Sequence, residues 1–408
     1  MKTMIRSILT AAAAVSLMGA TNGSTGSPTN ATNDGFFTMN VAGSLAENAM
    51  LLNRASFISA NSITLDVSGL FTISERSALM GLYEFIYDGP GISPQDAERM
   101  SERVQDHNVV VKYMHDILPN LTLSGRIDGT AEFYKLSQSE AWGSGIFDYL
   151  RGGGEVEAQW NYLGSHSAAL AYSIGYLYFP RFTDLYTEYL TGSSLNQEVS
   201  RESHVLQVAS IVAENDSHEP FTYRVSYRFT ARNFVNPGVI GADALYYPNV
   251  YQFGLAHTAT ADIAWEMMFM IPGIGLDYEN SASTGYHPKP LGTNNQTIGI
   301  NYDFNDIRAR LTLTFVLSKE IQATVFGTMS YKYYPHFPIQ DASGVYQAEK
   351  MYTRTVLAGL AWNFKLGEYY RLIPSYTFKW VDANNKYGDG TAFNYDVHGL
   401  GLLLSFDF

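Results

Sequence analysis

Along most of the chain apolar and polar residues alternate one for one, the period of an extended strand whose two faces meet different surroundings. Phe221, Tyr223, Val225, Tyr227, Phe229 and Ala231 alternate with Thr222, Arg224, Ser226, Arg228, Thr230 and Arg232. Ile307, Ala309, Leu311, Leu313, Phe315 and Leu317 alternate in the same way with Arg308, Arg310, Thr312 and Thr314. Leu121, Leu123, Gly125, Ile127, Gly129, Ala131 and Phe133 alternate with Thr122, Ser124, Arg126, Asp128, Thr130 and Glu132, and Val156, Ala158, Trp160 and Tyr162 with Glu155, Glu157, Gln159 and Asn161. A two-layer soluble sandwich gives the same period, so alternation alone does not select the architecture. The polar face carries charges at successive same-face positions, while aromatics gather at strand ends, as in Tyr83-Phe85-Tyr87, Tyr176-Tyr178, Tyr331-Tyr333 and Trp362-Phe364. Aromatic girdles of that kind mark a strand that crosses a bilayer.

The connections between these segments are of two kinds. Short polar turns fall near 74–77, 116–120, 164–167, 214–219, 318–320 and 365–368, and longer stretches near 89–106, 136–153, 181–202, 234–248, 280–304, 335–349 and 384–393. Their alternation predicts an up-and-down antiparallel sheet. With both ends of the sheet on the short-turn side the strand number must be even. Counting back from 394–408 requires a further turn near Trp265–Met267, where the turn signal is poor, and a first strand at roughly 36–45, for about sixteen strands in all. Residues 295–317 read either as a loop hairpin plus a strand or as two strands. Ser93-Pro94-Gln95-Asp96 has the form of a helix start, which predicts a short helix within 89–106.

The two ends of the chain narrow the class. Lys2 and Arg6 precede an uncharged run from Ser7 to Ala20, a basic region followed by a short apolar one and small residues, as in an export signal. Residues 21–34 (TNGSTGSPTNATND) have no apolar pattern and read as a flexible leader, leaving 35–408 for the barrel. At the other end Leu400, Leu402, Leu404, Phe406 and Phe408 share one face of a final strand. At this point the sequence resembles the Gram-negative outer-membrane β-barrel proteins of porin type, whose last strand ends in Phe behind apolar residues at every second position. The resemblance implies an all-β transmembrane barrel in the cell outer membrane. It also implies that this strand is the assembly signal read by the barrel-insertion machinery, and that membrane lipids and small hydrophilic solutes are partners. Porins of this size are often trimers, so a homo-oligomer belongs with that resemblance, although no trimer-specific feature stands in the chain.

Composition agrees. The chain has no cysteine, which removes disulfides, a lipid-modified N-terminal Cys and Cys-ligated metal, and its Tyr 29 and Phe 23 are ample for two girdles. No run after residue 20 has the eighteen or so apolar residues of a membrane helix, so a spanning structure must be a closed barrel in which every backbone group is paired. The net charge of −13 argues against nucleic acid as a partner.

A barrel of this size leaves room for an aqueous channel unless segments fold inward. Arg224, Arg228 and Arg232 would form one inward row, with Arg126, Arg308 and Arg310 on other walls; arginine rings in a pore attract anions. Glu155, Glu157, Asp128, Glu132 and Asp262 share the polar face, so ion pairing across the lumen is an equal reading of the same residues. His257 falls on the apolar face of Tyr251, Phe253, Leu255 and Ala259, where a polar residue is costly. It has no nucleophile beside it in sequence, and no catalytic constellation or cofactor is indicated. Asp382, Asn384, Asp389 and Asp396 flank the last long loop without metal-binding spacing, and they serve a turn adequately. These residues predict a pore for passive diffusion. Tyr352 to Phe408, with Leu360-Ala361-Trp362-Asn363-Phe364, is also similar to the barrel ends of exopolysaccharide-export and lipoprotein-surface-export proteins. That similarity implies an export conduit, and a structural or adhesin barrel is a third reading.

Overall fold

The computed structural model describes residues 37–52, 56–90, 102–136, 140–182, 202–215, 220–241, 246–291, 296–341, 343–385 and 394–408. The strands are β1 (Phe37–Leu52), β2 (Ser56–Ser74), β3 (Ser77–Pro90), β4 (Arg103–Leu118), β5 (Leu121–Lys135), β6 (Tyr149–Leu163), β7 (His166–Tyr178), β8 (His204–Asn215), β9 (Phe221–Ile240), β10 (Tyr246–Trp265), β11 (Met270–Ser283), β12 (His287–Leu291), β13 (Gln296–Ile300), β14 (Phe304–Val316), β15 (Ile321–Gln340), β16 (Tyr346–Leu366), β17 (Tyr370–Ala383) and β18 (Tyr395–Asp407). All but β12 and β13 pair with their sequence neighbours into one closed antiparallel barrel of sixteen strands. β12 and β13 form a separate hairpin between β11 and β14, which decides the 295–317 stretch in favour of a loop hairpin plus one barrel strand. The predicted signal segment, leader and 89–106 helix start lie outside the described residues.

Closure rests on a long ladder between β1 and β18, in register from Ala42 opposite Asp407 to Leu52 opposite Val397. Phe408 extends it, its backbone N–H donating to Val41 at 3.0 Å and its carbonyl accepting from Val41 at 3.2 Å. A closed ladder leaves no sheet edge unpaired, the condition for crossing lipid.

The apolar alternates point outward. Ile127, Val156, Leu170, Ile274 and Leu400 are each more than 60% exposed on the barrel exterior, an arrangement water would not tolerate over so large a surface but a bilayer favours. The predicted first strand is longer than expected, reaching Leu52, and its connection to β2 at 53–55 had no counterpart in the sequence pattern. The turn near Trp265 exists: Met267 and Met270 pair, leaving Met268 and Phe269 at its tip.

Two of the predicted long loops are mostly strand. β9 and β10 run 20 residues each, β15 runs 20 and β16 runs 21, about twice the 9–11 residues a membrane strand needs. Pro237 and Pro338 sit inside these ladders, at register shifts. The excess length stands above the rim that carries the long connections. There Phe337, Ile339, Met351 and Ala383 form a small buried cluster with Tyr334 and Tyr346 against it.

Candidate functional site: the charged lumen

Register fixes which side chains share the lumen. Arg224 lies opposite Glu214 on β8 and Asp262 on β10, and Arg308 lies opposite Asp277 on β11 and Ser330 on β15. Arg126, Arg224, Arg228, Arg232, Arg308 and Arg310, on β5, β9 and β14, lie on the face opposite the exposed apolar alternates, as do the acidic residues that share their alternation.

Most of them are paired. On one wall Lys112 meets Glu157 at 3.0 Å, Arg126 reaches Glu155 at 3.3 Å and Asp128 at 3.5 Å, and Arg151 reaches Asp128 at 3.2 Å. On the opposite side Arg224 meets Glu214 at 3.1 Å, Arg308 meets Asp306 at 3.0 Å, and Arg310 bridges Asp262 and Asp277, each at 2.8 Å. Arg228 and Arg232 differ: both are exposed, and among the described residues neither makes an ion pair. Pairing and an open arginine row thus coexist, on different residues of the same strand. Glu214, Asp277 and Asp306 were not singled out in the sequence, since only register shows which acid lies beside which arginine.

Charge is unevenly spread around the lumen. Asp66 faces Glu84 directly across β2 and β3, and Asp106 faces Glu132 across β4 and β5, making that quarter acidic. From β16 through β18 to β1 the inward positions hold mainly Thr, Ser, Gly, Ala and Asn, among them Thr355, Gly359, Ser375, Thr377, Gly401 and Ser44. Toward the long-loop rim the same side turns apolar: Met50, Ala60, Val381 and Val397 point inward yet are buried. They are packed near that rim, whereas space remains between polar side chains from β8 to β16. Two cavities lie there, of about 420 Å³ between Arg224, Asp262, Arg310, Thr314 and Asn363, and of about 330 Å³ between Thr258, Thr260, Asp277, Glu279 and Arg308.

Just outside the strands, Asp303 accepts from the Ser283 amide at 2.6 Å and faces His336 at 3.4 Å. Burial holds its carboxyl above the usual carboxylate range, with those two partners pulling the other way. Around the last loop, Asn384 donates to Glu349 Oε1 and accepts from the Tyr352 amide, both at 2.8 Å. Asp396 faces His398 at 3.6 Å, and Asp389 lies outside the described residues.

His257 is on the outward face as its alternation indicates, and it is not alone there. Its Nδ1 shares a 2.7 Å hydrogen bond with the Tyr227 hydroxyl, and its ring lies 5.1 Å from Phe229. The same three-residue grouping recurs as Tyr83, Phe85 and His107 and as Tyr376, Phe378 and His398, with hydrogen bonds of 2.9 and 2.8 Å. Tyr172 reaches Gln207 and Tyr278 reaches Asn305 by the same diagonal step. A ring of hydrogen-bonded polar side chains among aromatics is the chemistry of a membrane interface, so His257 marks the edge of the apolar belt and not a buried polar defect.

A closed sixteen-stranded barrel with an apolar exterior, an interfacial aromatic belt, short turns at one rim and long connections at the other defines a class. The chain is an outer-membrane β-barrel protein and is placed in the cell outer membrane. No protein-family model and no curated protein matches it. Solved structures of similar fold include OmpT, an outer membrane protein of Vibrio cholerae, at 9% identity over 91% of this chain and 98% of that one, with a TM-score of 0.46. A bacterial polysaccharide outer membrane secretin matches at 10% identity over 90% of this chain and 97% of that one, TM-score 0.44. A mutant of the Rh. blastica porin matches at 12% identity over 91% of this chain and all of that one, TM-score 0.39. At such identities the likeness is one of fold.

Proposed function

We propose that this barrel is a pore for passive diffusion of small hydrophilic solutes across the outer membrane. One observation carries the reading: the inward face from β8 to β15 is charged and hydroxylated, with cavities between its side chains. A barrel serving only as a scaffold or adhesin has no use for a wet inner wall, because buried charge is costly unless it is paired or hydrated. The conducting path runs along that wall, past the ion-paired groups of Arg224, Arg308 and Arg310. Pairing fixes those side chains and lowers their net field, so the pore accepts solutes of either sign with modest preference. Among the described residues no lumen group is arranged as nucleophile and base, and the reading involves no catalysis.

Purified protein reconstituted into planar bilayers tests it. Stepwise conductance increments in KCl are expected. Their absence, with correctly folded protein in the membrane, overturns the pore in favour of a scaffold or of a conduit opened only by a partner.

A further inference from the structure

Within the arginine row the structure separates two residues from the rest. Arg224 is held by Glu214, and Arg308 and Arg310 are held by Asp306, Asp262 and Asp277. Arg228 and Arg232, one and two steps nearer the outer rim on the same face of β9, are exposed and make no ion pair among the described residues. Their surroundings explain why. Arg228 lies opposite Ser210 on β8 and Thr258 on β10, and Arg232 lies opposite Leu206 and Gly254. No acid stands in either row on the adjoining strands. Glu279 is one strand further, opposite Thr258, and Glu214 and Asp262 are spent on Arg224 and Arg310 lower down. Hydroxyls of Ser210, Thr230 and Thr258 flank Arg228 without carrying charge.

We propose that Arg228 and Arg232 form a two-step binding site for oxyanions, that is, solutes bearing a carboxylate, phosphate or sulfate group. The inference rests on the lumen being wet along β8 to β15 and adds the solute class to the pore reading. A guanidinium presents a planar fork of donors that matches two oxygens of one oxyanion. An arginine already holding a carboxylate has that fork occupied; these two do not. Four residues of strand put their backbones about 13 Å apart, beyond a Debye length of about 8 Å at physiological salt. Each therefore captures its own anion, and a solute passes from Arg232 to Arg228 before meeting the paired network beneath.

The test measures binding and conduction separately. Sulfate binding to the detergent-solubilised full-length protein is followed by equilibrium dialysis at low ionic strength, and sulfate-induced interruption of chloride current is followed in planar bilayers. The R228Q/R232Q double variant is expected to weaken sulfate binding about tenfold or more, the scale of losing charge-assisted hydrogen bonds. R228K/R232K is expected to recover part of that loss, since the charge returns without the fork. R224Q is expected to bind like the parent. Equal binding by the parent and R228Q/R232Q overturns the site, as does an equal loss in R224Q or an absence of sulfate binding to the parent. Parent protein that binds sulfate through these arginines yet carries no current upholds the site and overturns the pore.

Discussion

Arg224 and Val225 are adjacent in sequence and lie in different solvents. Arg224 projects into the lumen against Glu214, while Val225 is 50% exposed on the outer surface between Tyr223 and Tyr227. The exposed Arg224–Glu214 pair contributes little to stability, as such pairs generally do. Val225→Arg places a charge against hydrocarbon and is expected to cost about 2–4 kcal/mol if Val225 is near the midplane. Arg224→Ser should leave the barrel close to its parent stability. Urea unfolding followed by tryptophan fluorescence in lipid vesicles measures both, and equal losses would reverse the assignment of faces. At this scale the faces of several strands, that of residues 221–232 among them, were legible, because a period of two needs only the sequence. What each side chain touches was not. Arg228 and Arg232 look the same as Arg224 in the alternation, and only the strands on either side distinguish the paired arginine from the open ones.

Among the elements, β18 shows how much a strand's role depends on its partner. Leu400, Leu402 and Leu404 face outward as their alternation predicts, each at least 41% exposed. Phe406 packs over Gly43 on β1, where a Cβ would meet its ring at 2.7 Å. Phe408 lies against Tyr369 and Tyr370, with ring centroids at 5.3 and 5.7 Å. Deleting Phe408 removes this contact and the last backbone bonds to Val41, replacing it with Asp removes the ring contact alone, and both are expected to leave the protein in the periplasm. Fractionation checks it, and normal outer-membrane levels in both variants would refute an assembly role. Other elements were harder to read. The tip Met268–Phe269 has none of the Gly, Asn, Asp or Pro that usually announce a turn, and it closes because the ladders on both sides hold it. The stretches around Pro237 and Pro338 look like loops because proline cannot donate to a ladder. They continue as strand because irregularities in register accommodate the missing donor at a rim where the sheet stands clear of the membrane.

For the molecule as a whole the decisive event is closure between the first and last strands, positions more than 300 residues apart. The Val41–Phe408 pair exchanges both backbone hydrogen bonds, so Ser44 and Ser405, three residues along the same register, form a non-hydrogen-bonded pair. Such pairs bring Cα atoms to about 4.5 Å, within reach of a disulfide. Because the chain has no cysteine, Ser44→Cys with Ser405→Cys gives an unambiguous reading. The double variant is expected to oxidise within one chain, with a mobility shift on denaturing gels that a reductant reverses. Free thiols in the folded protein, or only intermolecular links, would contradict this register.

The sequence by itself determined the period of the strands, the parity of their number and the division into an apolar and a charged face, because each depends on residues near one another in the chain and on the two solvents they meet. It also placed aromatics that mark the interface, such as Tyr83, Tyr176 and Tyr331, whereas the grouping of His257 with Tyr227 and Phe229 emerged only from the pairing of β9 with β10. The tertiary structure alone decided which arginines are neutralised, where the lumen keeps its cavities, and how far the long hairpins extend. Those outcomes depend on pairing between strands distant in sequence, and a shift of register would change every partner while leaving each local alternation intact.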